Sequence, residues 1–170
     1  MNRQPDPSEY AEYYRTYTSQ VPTGDIVQTL ETQRSELGSL LRGIPEERSM
    51  HRYAPAKWTI REVASHINDT ERVFTFRAFW FARELGSDLP SFDQDAAIPT
   101  SGANDRTWGS HVAEFDAVRS ATLAFWKGLP ADAWDRRGIA SGNPFSVRAL
   151  AWITAGHVAH HARLLRERYL

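Results

Sequence analysis

Four long segments of the chain carry apolar residues at helical spacing. Asp25 is a candidate N-cap for the first, and Thr59 with Glu62 three residues later forms a capping box before the second. Glycines follow the first three segments, as expected at helix C-termini. The predicted helices cover residues 25–42, 59–85, 107–127 and 146–169. No segment shows strand alternation bounded by hairpin turns, so the sequence predicts an all-α fold.

The connections between these helices differ in length. About twenty residues, 86–106, separate the second helix from the third, and long loops of this kind are often functional or act as lids. The tyrosine-rich residues 10–17 predict a short helix lying on the bundle. The whole pattern predicts a four-helix bundle with a long crossover between helices 2 and 3, a fold in which metal sites form in the core from facing helices.

Composition narrows the class of protein. The 170 residues match one domain, residues 1–170, and 20 Lys and Arg balance 21 Asp and Glu. This balance provides no electrostatic footprint for nucleic acid or for an anionic membrane. The chain has no cysteine, so thiolate zinc sites are excluded and a nucleophilic thiol would have to come from a cosubstrate. The sequence has no apolar leader and no long apolar run, which predicts a soluble, cytoplasmic protein.

Three histidines fall on core-facing helix stripes. His157 and His161 are four residues apart in the fourth predicted helix, so their side chains share one face. His66 lies on the apolar stripe of the second. Three protein nitrogens with an open position are typical of a catalytic metal site rather than a closed structural one. The sequence therefore predicts a divalent metal site formed by His66, His157 and His161.

The histidine pattern leaves alternatives open. Each buried imidazole could instead hydrogen-bond a neighbour, since i,i+4 histidine pairs also occur by chance. His111 could displace one of the three ligands or lie outside the site, and His160 falls near the edge of its stripe. Val158 occupies the place of the general base in a zincin HExxH motif, so a peptidase of that type has little support.

Two charged residues near His66 are candidates for catalytic roles. Asp69, three residues further on, could orient a ligand imidazole or accept a proton from water on the metal. The alternative is that Asp69 has no catalytic role and is a solvated carboxylate at the edge of the stripe. Arg77 could bind an anionic group of the substrate, or pair with a nearby carboxylate such as Asp93.

Five short motifs occur in order along the chain: WTIREVASHINDTER at 58–72, LPSFDQD at 89–95, SVRAL at 146–150, GHVAHH at 156–161 and RERYL at 166–170. Taken together, they resemble the DinB-like superfamily, and most closely its DinB_2 branch with the YfiT-like candidate metal-dependent hydrolases. The resemblance implies a four-helix bundle holding a divalent metal on His66, His157 and His161. It also implies thiol-dependent S-transferases and isomerases among the relatives, with bacillithiol, mycothiol or glutathione-type cosubstrates, and a homodimer.

The leading hypothesis is an enzyme that binds Zn²⁺ or Ni²⁺, both suited to imidazole ligands. It would activate water or a low-molecular-weight thiol for hydrolysis or S-transfer to a small-molecule substrate. The rival is a non-catalytic metal-binding stress-response bundle, and a weaker third is a helical interaction module without metal. A cavity beside the metal would favour catalysis, whereas a fourth protein ligand such as His111 or Asp69 would favour the structural site.

Overall fold

The computed structural model describes residues 3–170. Four long helices form the bundle, and two single-turn helices and one hairpin are added to it. The helices are α1 (Arg15–Thr18), α2 (Ile26–Arg42), α3 (Ile60–Ala82), α4 (Gln94–Ala97), α5 (Trp108–Lys127) and α6 (Val147–Leu164), and the strands are β1 (Arg137–Ala140) and β2 (Asn143–Ser146). The predicted all-α four-helix bundle with a long crossover is confirmed.

The predicted caps form as hydrogen bonds. The Thr59 hydroxyl accepts from the Glu62 amide at 3.0 Å, and the Thr59 amide donates to the Glu62 carboxylate at 2.6 Å. Asp25 caps α2 through its side chain as predicted, and Ser146, for which no cap was predicted, caps α6. These bonds satisfy amides that the first turn of a helix leaves without partners. The start of each long helix is therefore set by local sequence.

Two helix ends differ from the prediction. α3 ends at Ala82, three residues before the predicted 85, and Glu84 there adopts a positive φ of 54°. α6 ends at Leu164 and continues as one wider, π-helical turn over Leu165–Tyr169. The tyrosine-rich lead-in is confirmed as helical at Arg15–Thr18, and this short helix lies against α6.

Two apolar clusters fill the bundle. One includes Phe74 and Phe81 of α3 with Trp152 of α6. The other includes Ile60 of α3 and Val158 of α6. Because the two clusters occupy opposite ends of both helices, His66 and His157 lie close to the level at which the clusters meet.

A small hairpin precedes α6, and the expectation that the chain has no strands was wrong for this segment. β1 and β2 pair antiparallel from Arg137↔Ser146 to Ala140↔Asn143. Ser141 and Gly142 form the two-residue turn, with φ of 53° and 70°. Positive φ at both positions is the conformation of a tight hairpin turn. Each strand has only four residues, too few for a clear alternation of apolar and polar side chains.

The hairpin holds the start of the crossover segment. The Leu89 amide donates to the Ile139 carbonyl at 3.0 Å, and the Ser141 amide donates to the Leu89 carbonyl at 3.0 Å. The crossover is therefore fixed to the bundle immediately before residues 91–94. Across the described residues 3–170, no helix combines the length and apolar character needed to cross a membrane.

Candidate metal centre

His66, His157 and His161 converge in the core. The Nε2 atoms of His66 and His157 are 2.9 Å apart, and those of His157 and His161 are 3.1 Å apart. One ligand nitrogen from each ring lies within 4.8 Å of the other two, and all three residues are buried. Nitrogen ligands bind a zinc ion at about 2.0–2.1 Å. Imidazole nitrogens about 3 Å apart are therefore spaced to share one ion.

The environment keeps these imidazoles neutral. Burial, reinforced by the nearby His160, lowers the pKa of His66 to about 4. Burial also lowers the pKa values of His157 and His161 well below the usual value, and the neighbouring imidazoles add to both effects. A neutral imidazole offers one lone pair, and that is the form a metal binds.

The donor set fits a cation better than it fits hydrogen bonding alone. Nε2 of His157 faces the Nε2 atoms of both His66 and His161. A neutral ring nitrogen either donates one proton or accepts through one lone pair, so it cannot serve two such neighbours well. A divalent ion would be bound by all three lone pairs at once.

The surrounding side chains fix the ring orientations. Thr70 Oγ1 lies 3.3 Å from Nδ1 of His66, one helical turn away on α3. The Trp58 ring packs on His66 with centroids 5.0 Å apart, and the Tyr17 ring meets His157 edge-on at 5.4 Å. A partner on the outer ring nitrogen is what commonly orients a metal-binding histidine. Thr70, rather than the candidate Asp69, therefore lies where a side chain would orient the His66 ring.

The other histidines lie outside the cluster. Nε2 of His111 lies 2.9 Å from the Ala103 carbonyl oxygen, so this ring links α5 to the turn that precedes it. His160 is half-buried, with its ring 5.0 Å from that of His161. Within residues 3–170, the group of side chains arranged to hold a metal contains three histidines and no fourth ligand.

A cleft of about 390 Å³ opens beside His157. Its walls include the rings of Tyr14, Tyr17 and Phe74 and the guanidinium of Arg77. Residues 91–94 of the crossover segment form another wall. The long crossover, whose length predicts a functional loop or a lid, thus borders the cavity next to the histidines.

The two predicted catalytic residues lie in different surroundings. Arg77 is buried and lines the cleft, where its Nη2 donates to the Pro90 carbonyl at 3.1 Å and to Ser141 Oγ at 2.9 Å. Asp69 is half-buried and accepts from Arg72 at 3.2 Å. Burial raises the pKa of Asp69, and Arg72 opposes that effect. Among the described residues Asp69 has no hydrogen bond to the three histidines, and the catalytic roles of both residues stay predictions.

Comparison with known proteins decides the family. A family model described as the DinB superfamily matches residues 29–165. The chain belongs to the DinB superfamily. No curated protein matches this member of the superfamily. Among solved structures it is similar to YfiT from Bacillus subtilis, described as a probable metal-dependent hydrolase with an unusual four-helix bundle topology.

The similarity to YfiT extends over nearly the full length of both proteins. It covers 97% of this chain and 93% of YfiT, with a TM-score of 0.65 and 16% sequence identity. At that identity the comparison establishes the shared fold. The predicted membership of the DinB superfamily is thus confirmed, and the three-histidine group supports a divalent metal, the kind of cofactor the resemblance implied.

Some residues of this DinB member's cleft were not singled out from the sequence. Thr70 shares the helical stripe of His66, and that spacing was a usable signal. Tyr17 was noted only as part of an aromatic lead-in. Ser141 gave no local signal, because the tertiary fold alone brings it to Arg77.

Proposed function

We propose that this protein is a metal-dependent enzyme that activates water or a low-molecular-weight thiol for hydrolysis or S-transfer at its three-histidine site. The observation that supports this proposal most strongly is the open side of the cluster. Three buried imidazoles converge without a fourth protein ligand among the described residues, and His157 borders the cleft. A structural site would be closed by four protein ligands, whereas a catalytic one keeps a position for water or substrate.

The chain supplies binding, orientation and partial exclusion of water. His66, His157 and His161 would hold Zn²⁺ or Ni²⁺. When bound, such an ion lowers the pKa of a coordinated water or thiol, which provides a nucleophile at neutral pH. The cleft volume suits a small molecule. The absence of cysteine means that a thiol would come from a cosubstrate.

Metal content is the first test. We expect about one equivalent of Zn²⁺ or Ni²⁺ in tag-free protein by elemental analysis, and none in the His157→Ala, His161→Ala double variant. A matched His51→Ala, His160→Ala double variant loses two histidines outside the cluster and should keep the metal. Wild-type protein that binds neither ion when both are offered would overturn the metal site and the enzymatic proposal with it.

Turnover is the second test, because a metal alone also fits the rival non-catalytic bundle. The visible absorption spectrum of protein loaded with Co²⁺ depends on the ligands of the ion. If a coordination position is open, added glutathione should produce a new sulfur-to-cobalt absorption band. Ester hydrolysis, and transfer of thiols to 1-chloro-2,4-dinitrobenzene, should then be measured against the double variant. A stoichiometric metal with no spectral response and no turnover would support the non-catalytic bundle.

We propose the homodimer mainly from the family resemblance, and one surface feature agrees with it. α3 carries exposed Phe76 and Phe79 side chains, and apolar side chains exposed together are often found at interfaces. Sedimentation at several concentrations would measure the oligomeric state directly.

A further inference from the structure

We infer that the cleft takes a monocarboxylate with a flat apolar body, and that Arg77 binds the carboxylate. This inference rests on the proposed function, since it names the substrate class of the same site. It starts from the charge balance inside the cleft. Arg77 is the cationic side chain among the lining residues and is only 3% exposed.

Arg77 has no carboxylate partner within residues 3–170. Glu71, one candidate partner on the same helix, binds Arg119 through both carboxylate oxygens at 2.7 Å. Asp93 also borders the cleft, but its Oδ1 accepts from the Asp95 and Ala96 amides at the start of α4. A buried cation without a counter-ion is costly. The guanidinium is therefore prepared for an anion that the chain does not supply.

The guanidinium is held in place with part of its donor capacity unused. Its Nη2 donates to the Pro90 carbonyl and to Ser141 Oγ, which fixes the group between the crossover segment and the hairpin turn. Both hydrogen bonds of the Arg77 side chain to the described residues start from Nη2, which leaves Nε and Nη1 without a protein partner there. Both forks of the planar group include Nη2, which already uses its two protons, so a carboxylate would accept a single charge-assisted hydrogen bond from Nη1 or Nε of the fixed guanidinium.

The single positive charge favours a monoanion. A phosphate monoester carries close to two negative charges at neutral pH, so the Asp93 carboxylate at the cleft edge repels it more strongly than it repels a monoanion. One carboxylate balances one guanidinium. We therefore assign a carboxylate, and phosphate becomes an outcome of the test.

Aromatic rings shape the rest of the cleft. Tyr13 and Tyr14 pack edge-on with centroids 5.3 Å apart, and Tyr14 packs edge-on against Phe74 at 6.1 Å. These rings line the cleft together with Tyr17, and such surfaces favour flat apolar groups. His66 and Arg77 are eleven residues apart on α3, about 16 Å along the helix axis at 1.5 Å per residue. The Arg77 side chain leans back along α3 and His157 is the cluster residue that borders the cleft, so a substrate would span the part of the cleft between its carboxylate and its reacting group.

The test is a binding titration of metal-free protein, measured by calorimetry. The probes are 3-phenylpropionate, its neutral amide 3-phenylpropanamide, and phenyl phosphate. We expect wild-type protein to bind the carboxylate at least tenfold more tightly than the amide, and Arg77→Gln to lose that preference. Arg83→Gln removes the same charge from the exposed residue that follows α3, and this control should keep the preference. A preference that survives Arg77→Gln, or no preference in wild-type protein, would overturn the inference, and tighter binding of phenyl phosphate would overturn the assignment to a carboxylate.

A second variant separates binding from support of the fold. Ser141→Ala removes one hydrogen bond of Arg77 but keeps its charge, so the carboxylate preference should persist. Loss of the whole preference in Ser141→Ala would show that Arg77 acts only through the hairpin. If Arg77→Gln does not fold, the Nε–H resonance of Arg77 in wild-type protein, assigned with Arg77→Lys, gives a direct readout and should shift with 3-phenylpropionate but not with the amide.

The same titration distinguishes this inference from the metal proposal. Wild-type protein loaded with Zn²⁺ should show the same carboxylate preference as the metal-free protein, because Arg77 and not a metal binds the probe. A preference that appears only in the loaded protein would mean that the carboxylate depends on the metal, which overturns the role of Arg77. A protein with a stoichiometric metal and no carboxylate preference would leave the metal proposal standing and reject this one.

Discussion

Gly156 packs directly against the backbone of Tyr17, so that a methyl group at position 156 would overlap the Tyr17 carbonyl group. The contact places α1 on α6 one residue before His157, where the Tyr17 ring reaches the His157 imidazole edge-on. The position of one wall of the cleft therefore depends on a glycine, which has no side chain, at position 156 of α6.

This contact predicts that Gly156→Ala destabilises the protein. Alanine stabilises a helix relative to glycine by about 1 kcal/mol. Forcing an extra methyl group into a packed contact, however, typically costs about 1–3 kcal/mol. We expect a lower free energy of unfolding in urea and weaker binding of 3-phenylpropionate, because Tyr17 must move. Gly109→Ala in α5 is the control, since nothing lies within 4 Å of the added methyl group, and it should stabilise slightly. Equal stability of Gly156→Ala and wild type would show that the Tyr17 segment moves aside freely.

The parts of the fold that the sequence predicts are those specified by local signals. The capping box of Thr59 and Glu62 forms in the structure as predicted. His66, His157 and His161 are brought together as expected, because helical spacing fixes which residues share a face and both stripes are apolar. The bundle and its three-histidine group thus follow from periodicity and capping.

The parts that could not be predicted depend on tertiary contacts. The hairpin is short, and it carries the Ser141 hydroxyl to Arg77, 64 positions earlier in the chain. Asp69 shows a limit of another kind. Its position on the helix allowed an approach to His66 or to Arg72, which is three residues further on, and the structure shows the ion pair with Arg72. Spacing along one helix cannot decide between two partners that are both within reach.

Single histidine variants should separate ligands from neighbours. His66→Ala removes one of three converging nitrogens and should lower metal content well below one equivalent after dialysis. His160→Ala should retain the metal, because His160 does not belong to the three-nitrogen group. Elemental analysis of both variants beside wild type makes the comparison. A loss of metal from His160→Ala as complete as from His66→Ala would mean that the ligand set includes His160.

The metal-free protein should lose stability as pH falls through the weakly acidic range. The pKa of His66 is about 4 in the folded protein against an ordinary 6.5, so between these values the unfolded chain binds a proton that the folded chain does not. Stability then rises with pH across this window, is complete above about pH 6.5, and falls as the pH is lowered. The slope is at most roughly 1.4 kcal/mol per pH unit for each such histidine.

Urea unfolding of chelator-treated protein at pH 7.5 and pH 5.0 checks this dependence. His66→Gln should reduce the difference between the two conditions, and His51→Gln, which changes a histidine outside the cluster, should not. Identical stability of the metal-free wild type at both pH values would contradict the buried, neutral state of the cluster.

Arg119 and Glu71 join α5 to α3 through a fully buried ion pair, and Arg119 also donates to the Leu30 carbonyl of α2 at 3.0 Å. Glu71→Gln leaves a buried guanidinium without its counter-charge, which should cost about 3–5 kcal/mol of stability. Asp116→Asn breaks the Arg34–Asp116 pair, whose side chains are 39% and 51% exposed, and should cost no more than about 1 kcal/mol. Urea unfolding of both variants measures the difference. Because each variant removes one carboxylate charge from an arginine pair, equal losses would mean that burial does not set the importance of the Arg119–Glu71 pair.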